Sequence, residues 1–250
     1  MEYIIEPRVD VPTELLDKQE FRIQKMFGQI APWYDFLNHF LSLNVDKYWR
    51  RKLTKLAPPT SGKPILDLCT GTGDLAFALD SAAKKTCAIT ASDFCPEMLE
   101  LARKKGESRR TTERIAFHEA DSQALPFPGD HYDLVTVSFG LRNITDTKKG
   151  LAEMVRVAAP GGRVAILEFS RPTGRILGPL YRFYFRRVLP RLAKMFCRDE
   201  NSAYRYLPES VLQFPDGDDL AGMLRDAGLH EVRFHTLTFG IATLYLGRKP

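Results

Sequence analysis

The chain has few cysteines and no long apolar run, and each shortage excludes a class of protein. Its 250 residues include four cysteines, Cys69, Cys87, Cys95 and Cys197. None forms a Cys-x-x-Cys pair and no histidine cluster accompanies them, so no zinc or other metal site is expected. They read as reduced, mostly buried thiols. No apolar run approaches the roughly 20 residues that span a bilayer. Met1–Glu20 lacks the basic start and apolar core of a signal peptide, so a cytoplasmic location is expected. Repeats and low-complexity tracts are missing too.

One stretch lacks acidic residues altogether. Arg171–Arg198 carries eight basic residues and no carboxylate, interleaved with Tyr181, Phe183, Tyr184, Phe185 and Phe196. It reads as a solvated helix face, a surface for anionic lipid head groups, or a nucleic-acid patch. The whole chain has a net charge of +5.

What is present is a rhythm of strands and helices. Residues 14–56 have helical spacing, with a break expected at Pro32 and helices resuming over Trp33–Leu43 and Lys47–Leu56. After the breaker Pro58-Pro59-Thr60-Ser61-Gly62, strands are predicted at 64–69, 86–92, 114–118, 132–138 and 162–169. Helices fit between them at 74–83, 95–105 and 147–158, with Pro160-Gly161-Gly162 as a tight turn. A last helix, Asp218–Ala227, precedes strands at 230–238 and 241–248, which have hairpin spacing. Such alternation predicts an α/β fold with a doubly wound, mostly parallel sheet. One domain is expected: a helical cap over 1–60, a cofactor-binding core over 61–170, a basic-aromatic lid over 171–215, and a C-terminal helix and hairpin over 216–250.

Two loops at strand ends carry the chemistry, because ligands of open α/β sheets bind at the carboxyl ends of the strands. In the first, Gly71-Thr72-Gly73 lets backbone approach a ligand at a helix start. Asp93, twenty residues past Gly73, is placed to accept ribose hydroxyls. Gly71-x-Gly73-x-x-Ala76 also fits the dinucleotide fingerprint, so a nicotinamide enzyme stays open on this loop alone. Asp67 sits just before the loop. Asp74, at the helix start, would repel a pyrophosphate but suits a sulfonium, though it also reads as a plain helix cap. Asp121 and Ser122 are placed for an adenine amino group. Together these fit S-adenosylmethionine better than a nicotinamide dinucleotide. A terminal hairpin with one reversed strand is the arrangement of the seven-stranded, Rossmann-like class I methyltransferase sheet, an analogy of fold.

The second loop is Ser138-Phe139-Gly140-Leu141-Arg142-Asn143. With Ile65–Asp74, Ala124–Phe127, Pro160–Arg163, Leu167–Ser170 and Tyr204–Ser210, it occurs in the order that resembles the quinone-ring C-methyltransferases, from about residue 22 to 249. These are the demethylmenaquinone methyltransferases and their ubiquinone-pathway relatives. The resemblance implies S-adenosylmethionine as cofactor, with Thr72, Asp93, Asp121, Ser122 and Ser138 at positions that contact it. It implies a lipid quinol as substrate, either demethylmenaquinol or a ubiquinone-precursor benzoquinol. The family often has Asn-Ala at Asp121-Ser122, and its Pro-x-x-Gly step is replaced after Pro190 by Arg191-Leu192-Ala193.

A reduced quinol becomes nucleophilic at carbon once a phenolic proton leaves. Arg142 and Asn143 are expected to stabilise the developing oxyanion, directly or through a water. The bland alternative pairs Arg142 with Asp146 or Glu168. Tyr204, Tyr206 or a water is expected as base. His118 reads as a satisfied strand-end residue. Trp33, Tyr34, Phe36 and Phe40 line a tail groove or simply core. A lipid substrate predicts peripheral contact with an anionic membrane through residues 175–198, without nucleic acid. A homodimer, or a place in a quinone-synthesis complex, stays open. An RNA methyltransferase and a non-catalytic scaffold are the rival readings.

Overall fold

Apolar runs without alternation make the centre of a sheet that is buried on both faces. In this computed structural model β1 (Ile65–Leu68) is buried at all four positions, and β4 (Tyr132–Ser138) at five of seven. The structure describes residues 20–42, 44–172 and 203–250. Their other strands are β2 (Ile89–Asp93), β3 (Ile115–Glu119), β5 (Ala158–Phe169), β6 (His230–Leu237) and β7 (Ala242–Arg248). The strands form one seven-stranded sheet in the order β3-β2-β1-β4-β5-β7-β6. Only β7 runs against the others, pairing antiparallel with both β5 and β6. The expected doubly wound sheet with one reversed strand is therefore what forms.

Helices cover both faces. On one, α5 (Thr147–Val157) and α7 (Gly217–Asp226) bury Leu151, Met154, Leu220 and Leu224 against Val135, Val137 and Ile166. On the other, α2 (Val45–Leu56) and α3 (Asp74–Ala82) bury Trp49, Leu53, Leu75 and Leu79 against Ile65, Leu134 and Leu167. The remaining helices among the described residues are α1 (Glu20–Leu41), α4 (Pro96–Ser108) and α6 (Ala203–Gln213). Ala31 of α1 packs with Cys95 and Met98 at the start of α4, and so ties the cap to the core.

Three expectations need correction. The break at Pro32 does not occur, since α1 is continuous from Glu20 to Leu41. Its buried Ile23, Ile30 and Ala31 hold it in place, and this packing outweighs the missing proline N–H. Pro160-Gly161-Gly162 is not a turn before β5 but a bulge within it, marked by a register shift between Tyr132 and Leu134. A Cβ on Gly162 would lie 2.7 Å from the Ala159 carbonyl, so only glycine passes there. The hairpin turn is longer than two residues, with a 3₁₀ turn over Thr238–Gly240. Cys69, Cys87 and Cys95 are free thiols. Cys197 and the basic-aromatic stretch past Pro172 lie outside the described residues.

The strand order places the site. The chain winds from β1 to β2 and β3 on one side, then returns to β4 on the other side of β1. The loops after β1 and β4 therefore flank the crevice at the reversal point.

Candidate functional site

The loop after β1 turns sharply. Cys69, Gly71 and Gly73 all have positive φ, at 49°, 57° and 88°. A Cβ on Gly73 would come within 2.9 Å of the Phe77 ring. Asp67, expected at the cofactor, touches the crevice but is only 1 % exposed and accepts the Thr70 and Thr136 hydroxyls, both at 2.7 Å. Burial pushes its carboxyl up to about 6, against those two hydrogen bonds. Asp93 accepts the Gly71 and Cys95 N–H groups at 2.8 and 3.0 Å, and burial raises it to about 6 as well.

Asp74 is not a helix cap. Gly73 holds the cap position without any side-chain bond, and Asp74 is the first helical residue. Burial pushes its carboxyl up, but Arg50, Lys105 and His39 outweigh this and hold it below the usual range. Its charge is compensated, so repulsion of a pyrophosphate no longer discriminates between ligands. The reversed β7 does, because the classic dinucleotide order 3-2-1-4-5-6 has no such strand.

That compensation belongs to a network of residues far apart in the sequence. Lys105 of α4 lies 3.0 Å from Asp74 and 2.9 Å from the Thr72 hydroxyl, and also pairs with Asp35 of α1. The Thr72 hydroxyl donates to Asp35. Asp46 of α2 pairs with Arg50 and, at 2.8 Å, with His39. The helical cap is thus bonded to the glycine loop by alternating charges. His39, Asp46 and Asp74 bring ligand atoms within 4.8 Å of one another, but Arg50 and Lys105 already supply the positive charge there. Only the Asp46/Arg50 spacing of i and i+4 was readable in advance.

The loop after β4 starts with Phe139 in left-handed backbone, φ 59°. Its carbonyl accepts Arg142 Nη1 at 2.6 Å. Arg142 is 6 % exposed and also meets Glu168 Oε1 at 2.7 Å. The bland pairing with Glu168 is therefore present, whereas Asp146 instead caps α5 through the Lys149 N–H. One donor of Arg142, Nε, is buried with no partner among the described residues, as are Asn143 Oδ1, Ser138 Oγ and Tyr206 Oη. Burial raises the Tyr206 phenol, with Arg142 opposing in part. A phenol so placed stays neutral near pH 7 and is a poor base.

The residues that carry these atoms line two adjoining pockets. The first is walled by Trp49, Phe139 and Phe169, with Arg142, Tyr206 and Asp67. The rings of Phe139 and Phe169 lie 4.5 Å apart and those of Trp49 and Phe139 5.7 Å apart. The second holds Asp93, Asp121, Ser122, Asn143 and Met98. Tyr34, Cys69, Gly71, Ser138 and Phe139 belong to both. Thr72 lines only the first pocket. Asp121 accepts the Gln123 N–H at 2.8 Å, and Ser122 Oγ lies 3.5 Å from Cys69 Sγ. His118 lies away from both pockets, exposed on edge strand β3 and edge-on to Phe127. The side chains of Trp33, Phe36, Phe40 and Tyr204 lie outside the described residues.

The residues present fit S-adenosylmethionine. A buried, unpartnered Ser138 hydroxyl lies where the pockets join, and two carboxylates poised near 6 flank it, where a cationic ligand would favour their ionised forms. Comparisons with known proteins agree. A model described as the ubiE/COQ5 methyltransferase family matches residues 15–249. The demethylmenaquinone methyltransferase of Thermus thermophilus is 48% identical over 225 residues, covering 90% of this chain and 100% of its own. The ubiquinone/menaquinone biosynthesis C-methyltransferase UbiE of Geobacter sp. (strain M21) is 45% identical over 234 residues, covering 94% and 99%. Among solved structures, a SAM-dependent methyltransferase from Thermotoga maritima, a possible histamine N-methyltransferase, superposes with a TM-score of 0.65 at 15% identity, covering 91% and 100%. One from Aquifex aeolicus gives 0.60 at 18%, covering 80% and 89%. The solved structures share the fold alone, but the sequence matches run nearly end to end, so the chain belongs to the ubiE/COQ5 methyltransferase family.

Proposed function

We propose that the chain methylates a ring carbon of a reduced polyprenyl quinol, with demethylmenaquinol as the acceptor and a ubiquinone-precursor benzoquinol as the alternative. Family membership makes it an S-adenosylmethionine-dependent C-methyltransferase of quinone biosynthesis. The observation that carries the finer reading is the turn Arg142-Asn143. There Arg142 Nε and Asn143 Oδ1 are buried with no partner among the described residues, and the two residues line pockets that share Ser138 and Phe139.

S-adenosylmethionine, when bound, supplies an electrophilic methyl on a sulfonium. In this reading Asp93, Asp121 and Ser122 hold its adenosine in the second pocket. Gly71 and Ser138 line both pockets, Thr72 and Asp67 line the first, and Gly73, at positive φ, lets the loop turn into the helix. Trp49, Phe139 and Phe169 offer flat apolar faces to a quinol ring in the first. Arg142 stays charged and is no base. Its free Nε stabilises the oxygen that loses its phenolic proton. Asn143 orients that oxygen or a water beside it. Tyr206, as a neutral phenol, donates to the same oxygen, and the proton leaves through water. Tyr204 stays a candidate on the same helix. Holding donor and acceptor in line is worth several kcal/mol.

The whole chain is read as one methyltransferase domain, with 1–60 as cap and 171–215 as lid. Among the described residues no helix is long and apolar enough to cross a membrane. A polyprenyl acceptor would keep its tail in the bilayer, so the enzyme would work at an anionic membrane surface. The decisive experiment offers both reduced quinols with methyl-labelled donor and reads products by mass. Transfer to neither ring would sink the proposal.

A further inference from the structure

The described residues expose three large hydrophobic side chains, Tyr48 (46 %), Leu56 (36 %) and Phe239 (76 %). Tyr48 and Leu56 lie on α2, and Phe239 lies on the turn bonded to it. Trp49 Nε1 donates to Thr238 Oγ1 at 2.7 Å, which joins α2 to the turn between β6 and β7.

The outer face of α2 is basic. The helix carries Lys47, Arg50, Arg51, Lys52 and Lys55 against one acidic residue, Asp46, which is buried and paired with Arg50. Lys47, Arg51 and Lys55 are exposed, and the Lys52 ammonium lies 5.6 Å from the Tyr48 ring centroid. At 100° per residue, Tyr48, Arg51, Lys52 and Lys55 fall on one stripe. The opposite stripe, Asp46, Trp49 and Arg50, lines the first pocket. One helix thus shows cations and a tyrosine outward and pocket wall inward.

The turn beside it is strained. Thr238, Phe239 and Gly240 are all left-handed, with φ of 47°, 58° and 87°. A phenylalanine in that region, packed against little, has a backbone cost and no burial in return. Gly240 also touches the point where the chain leaves the described residues, since a Cβ there would lie 3.4 Å from Pro172 Cα. The acid-free, aromatic sequence to Arg198 therefore starts beside Phe239.

We infer that the outer stripe of α2 and Phe239 form a docking surface for an anionic lipid bilayer, with Phe239, Tyr48 and Leu56 entering the head-group layer and the cations facing lipid phosphates. Basic residues flanked by aromatic and aliphatic tips match an anionic interface, and Leu56, which has no ring to stack on a base, favours a bilayer over a nucleic acid. The surface deepens the proposed function, on which its purpose rests, by bringing the enzyme to the membrane that carries the acceptor, with α2 standing between the bilayer and the first pocket.

The full chain is tested on phosphatidylcholine vesicles with and without about a third phosphatidylglycerol, with no quinol or donor present. Partitioning is expected onto the anionic vesicles only, and to weaken with salt. Arg51→Glu with Lys55→Glu should reduce it by roughly tenfold or more. Phe239→Gly separates binding from folding. Glycine relieves the backbone, so the melting temperature should hold or rise while partitioning falls. A merely structural Phe239 would show the reverse. Unchanged partitioning in both variants, or preferential, salt-sensitive binding of an oligouridine lost in the same variants, overturns the assignment. Methylation of a short-tailed soluble quinol should survive in all variants. Vesicle binding without methyl transfer keeps the surface and sinks the function, and transfer without vesicle binding does the opposite.

Discussion

Arg142 Nη1 meets Glu168 Oε1 at 2.7 Å, and the Glu168 side chain has no solvent exposure. A second Glu168 oxygen accepts the Arg142 backbone N–H at 3.3 Å. The pair fixes the guanidinium while Nε is left without a partner among the described residues. Removing either partner leaves an uncompensated buried charge.

Arg142→Met and Glu168→Gln are each expected to lose about 3–5 kcal/mol by chemical denaturation. Arg142→Met with Glu168→Gln should cost less than the sum of the two single changes. In the folded fraction of Arg142→Met, kcat should fall roughly 10²-fold while donor affinity changes little. Turnover within about twofold of wild type would remove the chemical role of Arg142.

Asp93 gives a pH dependence with a definite sign. Burial raises its folded carboxyl to about 6, above the unfolded value of 3.8. The stability it contributes is complete below the unfolded value and is lost as pH rises through about 6. A donor whose hydroxyls bond the ionised form should bind more tightly above about 6 than below it. Calorimetry across this range should show that rise in wild type and lose it in Asp93→Asn. Asp67→Asn, the control for the other carboxylate near 6, should flatten the stability curve instead.

Tyr206→Phe tests donor against base. The phenol is raised by burial, so it does not titrate in the working range. Loss of one hydrogen bond should lower kcat about tenfold and leave the shape of the pH–rate profile intact. Disappearance of an alkaline limb in the variant would assign Tyr206 as the base.

Gly140 is required by contact rather than by φ. A Cβ there would lie 2.3 Å from Cys69 Cβ and 3.2 Å from Val137. Gly140→Ala should destabilise by about 1–3 kcal/mol and weaken donor binding, because it pries apart the two loops that flank the crevice. Adding Cys69→Gly, at a residue already left-handed, should restore most of the melting temperature. No rescue would place the strain elsewhere.

The sequence alone was sufficient for the alternation of elements, the two strand-end loops and the motif order. Those signals are local: apolar runs such as Ile65–Leu68 and glycines at fixed spacing specify strand, turn and helix start without distant partners. Tertiary structure decided the rest. Pro32 sits inside a helix because packing of Ile30 and Ala31 outweighs a local preference. Asp74 lost its expected role once Lys105, 31 residues away, and Arg50 came to lie beside it. Burial, which no single position announces, set Asp67 and Asp93 near 6 and kept Tyr206 a neutral phenol. Charge compensation and desolvation depend on which helices the crossovers bring over the sheet, and that is a property of the folded chain.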